Sequence, residues 1–90
     1  MNWQVYMILC SDNSLYTGIS NDVERRIVQH ADQRGAKYFR GRRPEQLVYL
    51  ESGHDRSTAS QREAVIKKLR RIEKQRLIQS ERNEISGAAG

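Results

Sequence analysis

VYMILCSDNSLYTGIS, residues Val5–Ser20, sets the architecture of the chain. Two apolar, β-prone runs flank Ser11-Asp12-Asn13-Ser14, whose short polar side chains favour a turn. The first run, Trp3–Cys10, is apolar at nearly every position and predicts a strand covered on both faces. The second, Leu15–Ile19, predicts an antiparallel partner. Tyr6 shares a face with Ile8 and Cys10, but the face that Tyr16 joins depends on the turn. A two-residue loop would pair residue 9 with residue 16 and separate the tyrosines. A three-residue loop would pair residue 10 with residue 16 and put them together. Both tyrosines equally suit ordinary strand packing. Gly18 signals a bulge or a close backbone approach.

Beyond the hairpin, Asn21 can cap a helix, with Glu24 placed as in a capping box. Val23 and Ile27 give that helix an inner face, and Gly35 is a plausible stop. Residues 34–45, RGAKYFRGRRPE, form a basic loop. Gln46–Glu51 predicts a third strand and Ser52–Ser57 a turn, in which Asp55 or Ser57 can cap the next helix. Thr58–Leu69 predicts that helix, with Ala59, Ile66 and Leu69 on one face. Arg70–Ile78 continues helical, and a frayed tail is expected from Ser80. The order β–β–α–β–α(–α) predicts an α/β (α+β) fold: a small three-stranded antiparallel sheet flanked by helices. One domain is expected over residues 1–79, with a flexible tail over 80–90.

Ninety residues bound the chain to one modest core. Cys10, the only cysteine, excludes an intrachain disulfide and a cysteine-based zinc site. The start of the chain lacks a secretory pattern, and no apolar run approaches the ~20 residues of a membrane helix. A cytoplasmic protein with no membrane partner is expected. Sixteen Lys and Arg stand against eleven Asp and Glu, a net charge of +5. None of the sixteen precedes Arg25, and fifteen lie between Arg25 and Arg76. Basic charge concentrated in this way suits a nucleic-acid partner, although it also serves solubility.

Besides the two tyrosines, two features could carry chemistry. Arg26 and His30 are spaced i, i+4, so they share one side of the first helix. Two neighbouring cations are explained by an anion between them, or by His30 simply facing the helix C-terminal dipole. Glu63 lies one turn after Ala59 and one turn before Ile66, toward the apolar side of a basic helix. An inward carboxylate needs a partner: a hard divalent cation or an ordinary salt bridge.

Together these residues resemble the GIY-YIG endonuclease superfamily. Val5-Tyr6-Met7 stands at the GIY motif and Tyr16-Thr17-Gly18 at the YIG motif. NDVERRIVQH is similar to the first-helix pattern, and AKYFRGRRPEQLVYLE with ASQREAVIKKL resembles small stand-alone bacterial members and the N-terminal nuclease domain of the bacterial repair excinuclease. The likeness spans roughly residues 3–78. It implies a metal-dependent endonuclease that hydrolyses phosphodiester bonds, in DNA of low sequence specificity, during repair, recombination or processing. It implies one Mg²⁺ (or Mn²⁺) on Glu63, and a monomer or weak homodimer. The catalytic set would be Tyr6, Tyr16, Arg26, His30 and Glu63. Tyr6 would act as general base, or as the relay through which His30 acts, with nearby positive charge lowering its pKa. Arg26 would neutralise the phosphorane oxygens, and Tyr16 would bond the scissile phosphate or orient the water. Gly18, Lys37, Arg40, Arg42 and Arg43 would bind substrate, with Tyr38 and Phe39 able to stack on bases. The chain departs from the family in reading VYM for GIY. It also lacks an asparagine after Glu63 until Asn83, Gln75 being the nearest amide. The competing readings are a non-catalytic nucleic-acid-binding module and an adaptor of a repair complex.

Overall fold

In the computed structural model the described residues are 2–31 and 41–85, with His30 and Ala31 described by backbone alone. The two apolar runs form β1 (Trp3–Cys10) and β2 (Leu15–Ser20). Three residues close the hairpin: the Cys10 amide donates to the Ser14 carbonyl at 2.9 Å, and the Asn13 amide to the Cys10 carbonyl at 2.9 Å. Asn13 takes the left-handed conformation (φ 68°) that such a loop needs at its last position. Asp12 accepts from the Ser14 amide and hydroxyl, which fixes the turn. The resulting register pairs Tyr16 with Ile8 and Gly18 with Tyr6. Neither of the pairings weighed from the sequence occurs, yet both tyrosines share one face.

Helix α1 (Val23–Ala31) begins one residue later than Asn21 would set it. Asp22 is the capping side chain, accepting from the Arg25 amide at 3.2 Å. Strand β3 (Pro44–His54) runs past the turn expected at Ser52, because Trp3 pairs with His54 and because Ser52 is held from two sides. Gln4 donates to the Ser52 hydroxyl at 2.9 Å, and the Glu84 carboxylate accepts from the Ser52 amide and hydroxyl. Asp55 caps α2 (Arg56–Lys67), accepting from the Thr58 amide at 2.8 Å. The chain tightens at Lys68 and Leu69 and then forms α3 (Arg71–Ile78), where Glu73 reaches back to the Arg70 amide at 3.0 Å.

The antiparallel sheet has the order β2-β1-β3, so β1 is central and β2 lies at an edge. Val5 through Ile8 are at most 1% exposed, as a strand covered on both faces requires. Val5, Met7 and Tyr49 pack on one face with Ala59 and Ile66 of α2 and with Leu77 and Ile78 of α3. Tyr6, Ile8 and Cys10 pack on the other with Val23 and Ile27 of α1. Helices on both faces of the sheet give three layers.

The frayed tail expected from Ser80 does not describe residues 80–85. Asn83 donates to the carbonyls of Val48 and Ile78 at 2.8 Å each and accepts from the Leu50 amide at 3.2 Å, while the Glu84 amide donates to the Leu50 carbonyl at 2.9 Å. The segment has little apolar surface to bury, but it pairs backbone groups along β3 that an edge strand would leave open. Polar pairing of this kind has no hydrophobic period, which is why the sequence reads as a tail.

Candidate active site

Gly18 explains how a tyrosine as large as Tyr6 fits on the α1 face. A Cβ at residue 18 would lie 2.6 Å from the Tyr6 hydroxyl oxygen and 2.7 Å from its Cζ. The missing side chain therefore makes room for the phenol, which is fully buried. The close approach expected at Gly18 is thus made by Tyr6, within the protein. Tyr16 comes in beside it, with ring centroids 6.2 Å apart and planes tilted by 46°.

Val23 and Ile27 hold α1 on this face, which brings Arg26 to the tyrosines. Arg26 and Tyr16 both act on the Tyr6 hydroxyl, Arg26 lowering its pKa and Tyr16 raising it. Arg26 Nη1 also donates to Gln29 Oε1 at 3.2 Å. Among the described residues no carboxylate forms an ion pair with Arg26. A half-buried guanidinium is thus held by neutral partners, the arrangement that an incoming anion completes.

The electrostatics run against one expectation. Burial pushes the Tyr6 phenol up, and Tyr16 adds to this; the hydrogen bond and charge of Arg26 pull the other way and lose. The pKa of Tyr6 ends well above the ordinary phenol value of about 10. Tyr16 is also raised, first by burial, with Arg26 pulling it down and the Glu63 carboxylate pushing it up. Both phenols are therefore neutral near pH 7; of the Arg26 and metal charges expected to lower Tyr6, that of Arg26 by itself does not outweigh burial.

Glu63 approaches from the other layer. Its helix packs on the face opposite Tyr6, with Ala59 and Ile66 in the core, yet its carboxylate acts on Tyr16 at the β2 edge. The side chain is 23% exposed and pairs with Lys67 at 3.4 Å, so the ordinary salt bridge that its position allowed is present. An i, i+4 pair with a half-exposed lysine contributes about 0.5 kcal/mol. That is weak enough to yield to a dication. One half-buried carboxylate with a single lysine partner suits Mg²⁺, which keeps several waters and takes few protein ligands, while no cluster of three or more His, Cys, Asp or Glu able to hold a metal occurs among the described residues.

The structure thus gathers Tyr6, Tyr16 and Arg26 on one face and leaves Glu63 acting on Tyr16 through its charge alone. The His30 side chain, Lys37 and Arg40 lie outside the described residues. Arg42 pairs with Asp12 at 3.1 Å, and the Arg43 amide donates to the Ser11 hydroxyl at 2.9 Å. Both are fastened to the hairpin turn. Asn83 stands on β3, the edge opposite β2, and Gln75 is exposed on α3. Neither takes the place of the family's asparagine beside Glu63. Sequence reasoning missed Gln29, which orients Arg26; its i, i+3 spacing from Arg26 was the available signal.

A second polar cluster fills the other face. Tyr49 donates to Glu51 at 2.6 Å, His54 Nε2 lies 2.7 Å from the same carboxylate, and Arg62 Nε donates to it at 3.1 and 3.2 Å. Here each charge has its partner inside the protein.

Comparison with known proteins agrees with this architecture. Residues 2–76 match the GIY-YIG catalytic domain. A UPF0213 protein of Desulfotalea psychrophila is 47% identical over 79 residues, covering 87% of this chain and 72% of that one. A UPF0213 protein of Haloquadratum walsbyi is 53% identical over 73 residues, covering 81% and 82%. The solution NMR structure of a UPF0213 protein from Bacillus halodurans aligns with a TM-score of 0.60 at 38% identity, over 99% of this chain and 94% of that one. With the paired tyrosines on one face, Arg26 of α1 beside them, and a match spanning both motifs, α1, α2 and most of α3, the chain belongs to the GIY-YIG catalytic domain family, a family of nucleases.

Proposed function

We propose that the protein is a metal-dependent endonuclease that hydrolyses phosphodiester bonds in DNA with little sequence preference, in repair, recombination or processing. The observation that carries this reading is Arg26: a half-buried guanidinium that donates to the Gln29 amide and acts on the Tyr6 phenol, with no carboxylate pairing it among the described residues. A scissile phosphate supplies the missing negative charge, and the fixed fork of donors stabilises the charge that grows on its oxygens in the transition state.

Water attacks phosphorus, the bond from phosphorus to the 3′ oxygen breaks, and the water proton must leave. Tyr6 is neutral, so it accepts that proton only while passing on its own. This favours the relay role, with His30 as the proposed final acceptor. Tyr16, beside the Tyr6 ring and within the field of Glu63, orients the water or a phosphate oxygen. Glu63 would hold one Mg²⁺ or Mn²⁺, whose charge favours departure of the 3′ oxygen.

The test is cleavage of labelled single-stranded, nicked and flapped DNA with Mg²⁺, with Mn²⁺ and with EDTA. Metal-dependent products that fall at least 100-fold in Glu63→Ala and Tyr6→Phe, both still folded, are the expected result. The buried, raised Tyr6 favours one other reading, a binding module without turnover. Wild-type binding with no cleavage of any of the three substrates would select it.

A further inference from the structure

Hydrolysis at Arg26 leaves the strand beyond the scissile phosphate without a track. Arg42 and Arg43 sit at the turn end of the hairpin, and Arg42 is already paired with Asp12. At the other end of β2 lies a groove of about 400 Å³, lined by Trp3, Ser20, Asp22, Arg25, Arg26 and Arg56 among others. It brings together three guanidinium groups from two helices. Arg26 is common to this groove and to the Tyr6 cluster, so the two are continuous.

Its charges are poised for an anion. Among the described residues neither Arg25 nor Arg56 ion-pairs with a carboxylate. The one carboxylate in the lining, Asp22, is engaged in capping α1. The Arg56 guanidinium sits 5.7 Å from the centroid of the Trp3 ring, and that ring is fixed in turn by packing against the Val5–Met7 core. Stacking of this kind orients a guanidinium without neutralising it.

We propose that this groove is a second phosphate-binding subsite, in which Arg25 and Arg56 hold the sugar–phosphate backbone flanking the scissile bond and Trp3 positions Arg56. The subsite rests on the nuclease reading and assigns a direction to it. The substrate strand leaves Arg26 toward the Ser20 end of β2 and the start of α2, instead of lying only over the basic loop. The contact is to backbone, so it adds affinity without reading sequence.

The experiment is a salt titration, in EDTA, of fluorescence anisotropy with a labelled single-stranded oligonucleotide. Removing one phosphate contact lowers the slope of log K against log salt by about 0.7. Arg25→Gln with Arg56→Gln is expected to lower it by about 1.4 and to weaken binding about 10-fold at low salt. Trp3→Phe, which keeps an apolar ring in the core, should weaken binding two- to three-fold. Arg71→Gln with Arg76→Gln, on the exposed side of α3, removes the same charge and is expected to change the slope by less than about 0.3. A wild-type slope in the groove variant, or an equal loss in the α3 variant, overturns the subsite. If those results accompany wild-type cleavage, only the subsite fails. If the wild type neither binds nor cleaves, the nuclease reading fails with it.

Discussion

The two faces of the sheet carry the same ingredients in opposite states of completion. On the α2 face, Tyr49, Glu51, His54 and Arg62 form a cluster that includes its own carboxylate. On the α1 face, Tyr6, Tyr16 and Arg26 meet without one among the described residues. Both central tyrosines are buried and both are pushed up in pKa, Tyr49 to about 12, and burial is the leading cause in each. A perturbed pKa therefore does not separate structure from function here. What separates them is whether the guanidinium beside the phenol already has its anion.

Disabling each arginine cluster in turn gives the largest expected effects. Arg26→Gln is expected to lower cleavage 100- to 1,000-fold while changing unfolding free energy by less than about 1 kcal/mol. Glu51→Gln is expected to do the reverse. It removes a carboxylate that three donors share, leaving Arg62 and His54 without their anion, at a cost of about 2 kcal/mol. Arg62 is 24% exposed, which keeps the cost below that of a wholly buried pair. Cleavage per folded molecule should stay at the wild-type level. Urea denaturation and single-turnover cleavage on the same samples check both halves. Comparable losses of stability in the two variants would erase the distinction between the faces.

Gly18→Ala probes the incomplete cluster from inside. The new Cβ would stand 2.6 Å from the Tyr6 hydroxyl and 3.0 Å from Tyr16 Cε2, so Tyr6 must shift. Overpacking of this kind costs about 1–3 kcal/mol. Because the displaced atom is the proposed relay oxygen, cleavage should fall at least tenfold at temperatures where the variant is fully folded. A variant that loses stability but keeps wild-type cleavage would remove Tyr6 from the reaction.

Acid separates the faces more gently. Burial pushes the Glu51 carboxyl up, but hydrogen bonds from Tyr49, His54 and Arg62 outweigh it, and the pKa falls below the usual carboxylate value. A depressed carboxylate contributes stability above its unfolded pKa of about 4.3, and that stability is lost as pH falls through the folded value. The stability difference between wild type and Glu51→Gln should therefore shrink as pH falls below about 4.5. The corresponding difference for Arg26→Gln should show no such decline, since no carboxylate among the described residues pairs with its guanidinium. Denaturation midpoints from pH 3 to 7 measure this.

How legible each part was in the sequence follows from the range of its contacts. Strand β1 and the hairpin were legible because both layers press on one apolar run. Helix α2 was legible because Ala59 and Ile66 keep a helical period. The hairpin register was not, since it depends on Asn13 adopting a left-handed backbone. The full length of β3 was not, because His54 pairs with Trp3 and Ser52 with Glu84, partners far away along the chain. For the site, resemblance supplied Tyr6, Tyr16, Arg26 and Glu63, and periodicity placed Glu63 inward. The groove at Arg56 was hidden, because Trp3 and Arg56 are distant in sequence and each is ordinary alone.

Thr17 carries the smallest effect and the last contrast. It sits between Tyr16 and Gly18 but points to the α2 face, opposite Met7. There it is 3% exposed, and its hydroxyl has no hydrogen-bond partner among the described residues. The completed face thus contains one uncompleted group. A buried hydroxyl without a partner is a desolvation cost, whereas valine has the same shape and no such need. Thr17→Val should raise unfolding free energy by about 1 kcal/mol, measured by urea denaturation, and leave cleavage unchanged. The two readouts separate two meanings of the orphan group. A gain in stability with full activity makes it a tolerated flaw of the core. A loss of cleavage without loss of stability would mean that the hydroxyl serves the site through the strand it shares with Tyr16, and the line between the two faces would have to be redrawn along β2.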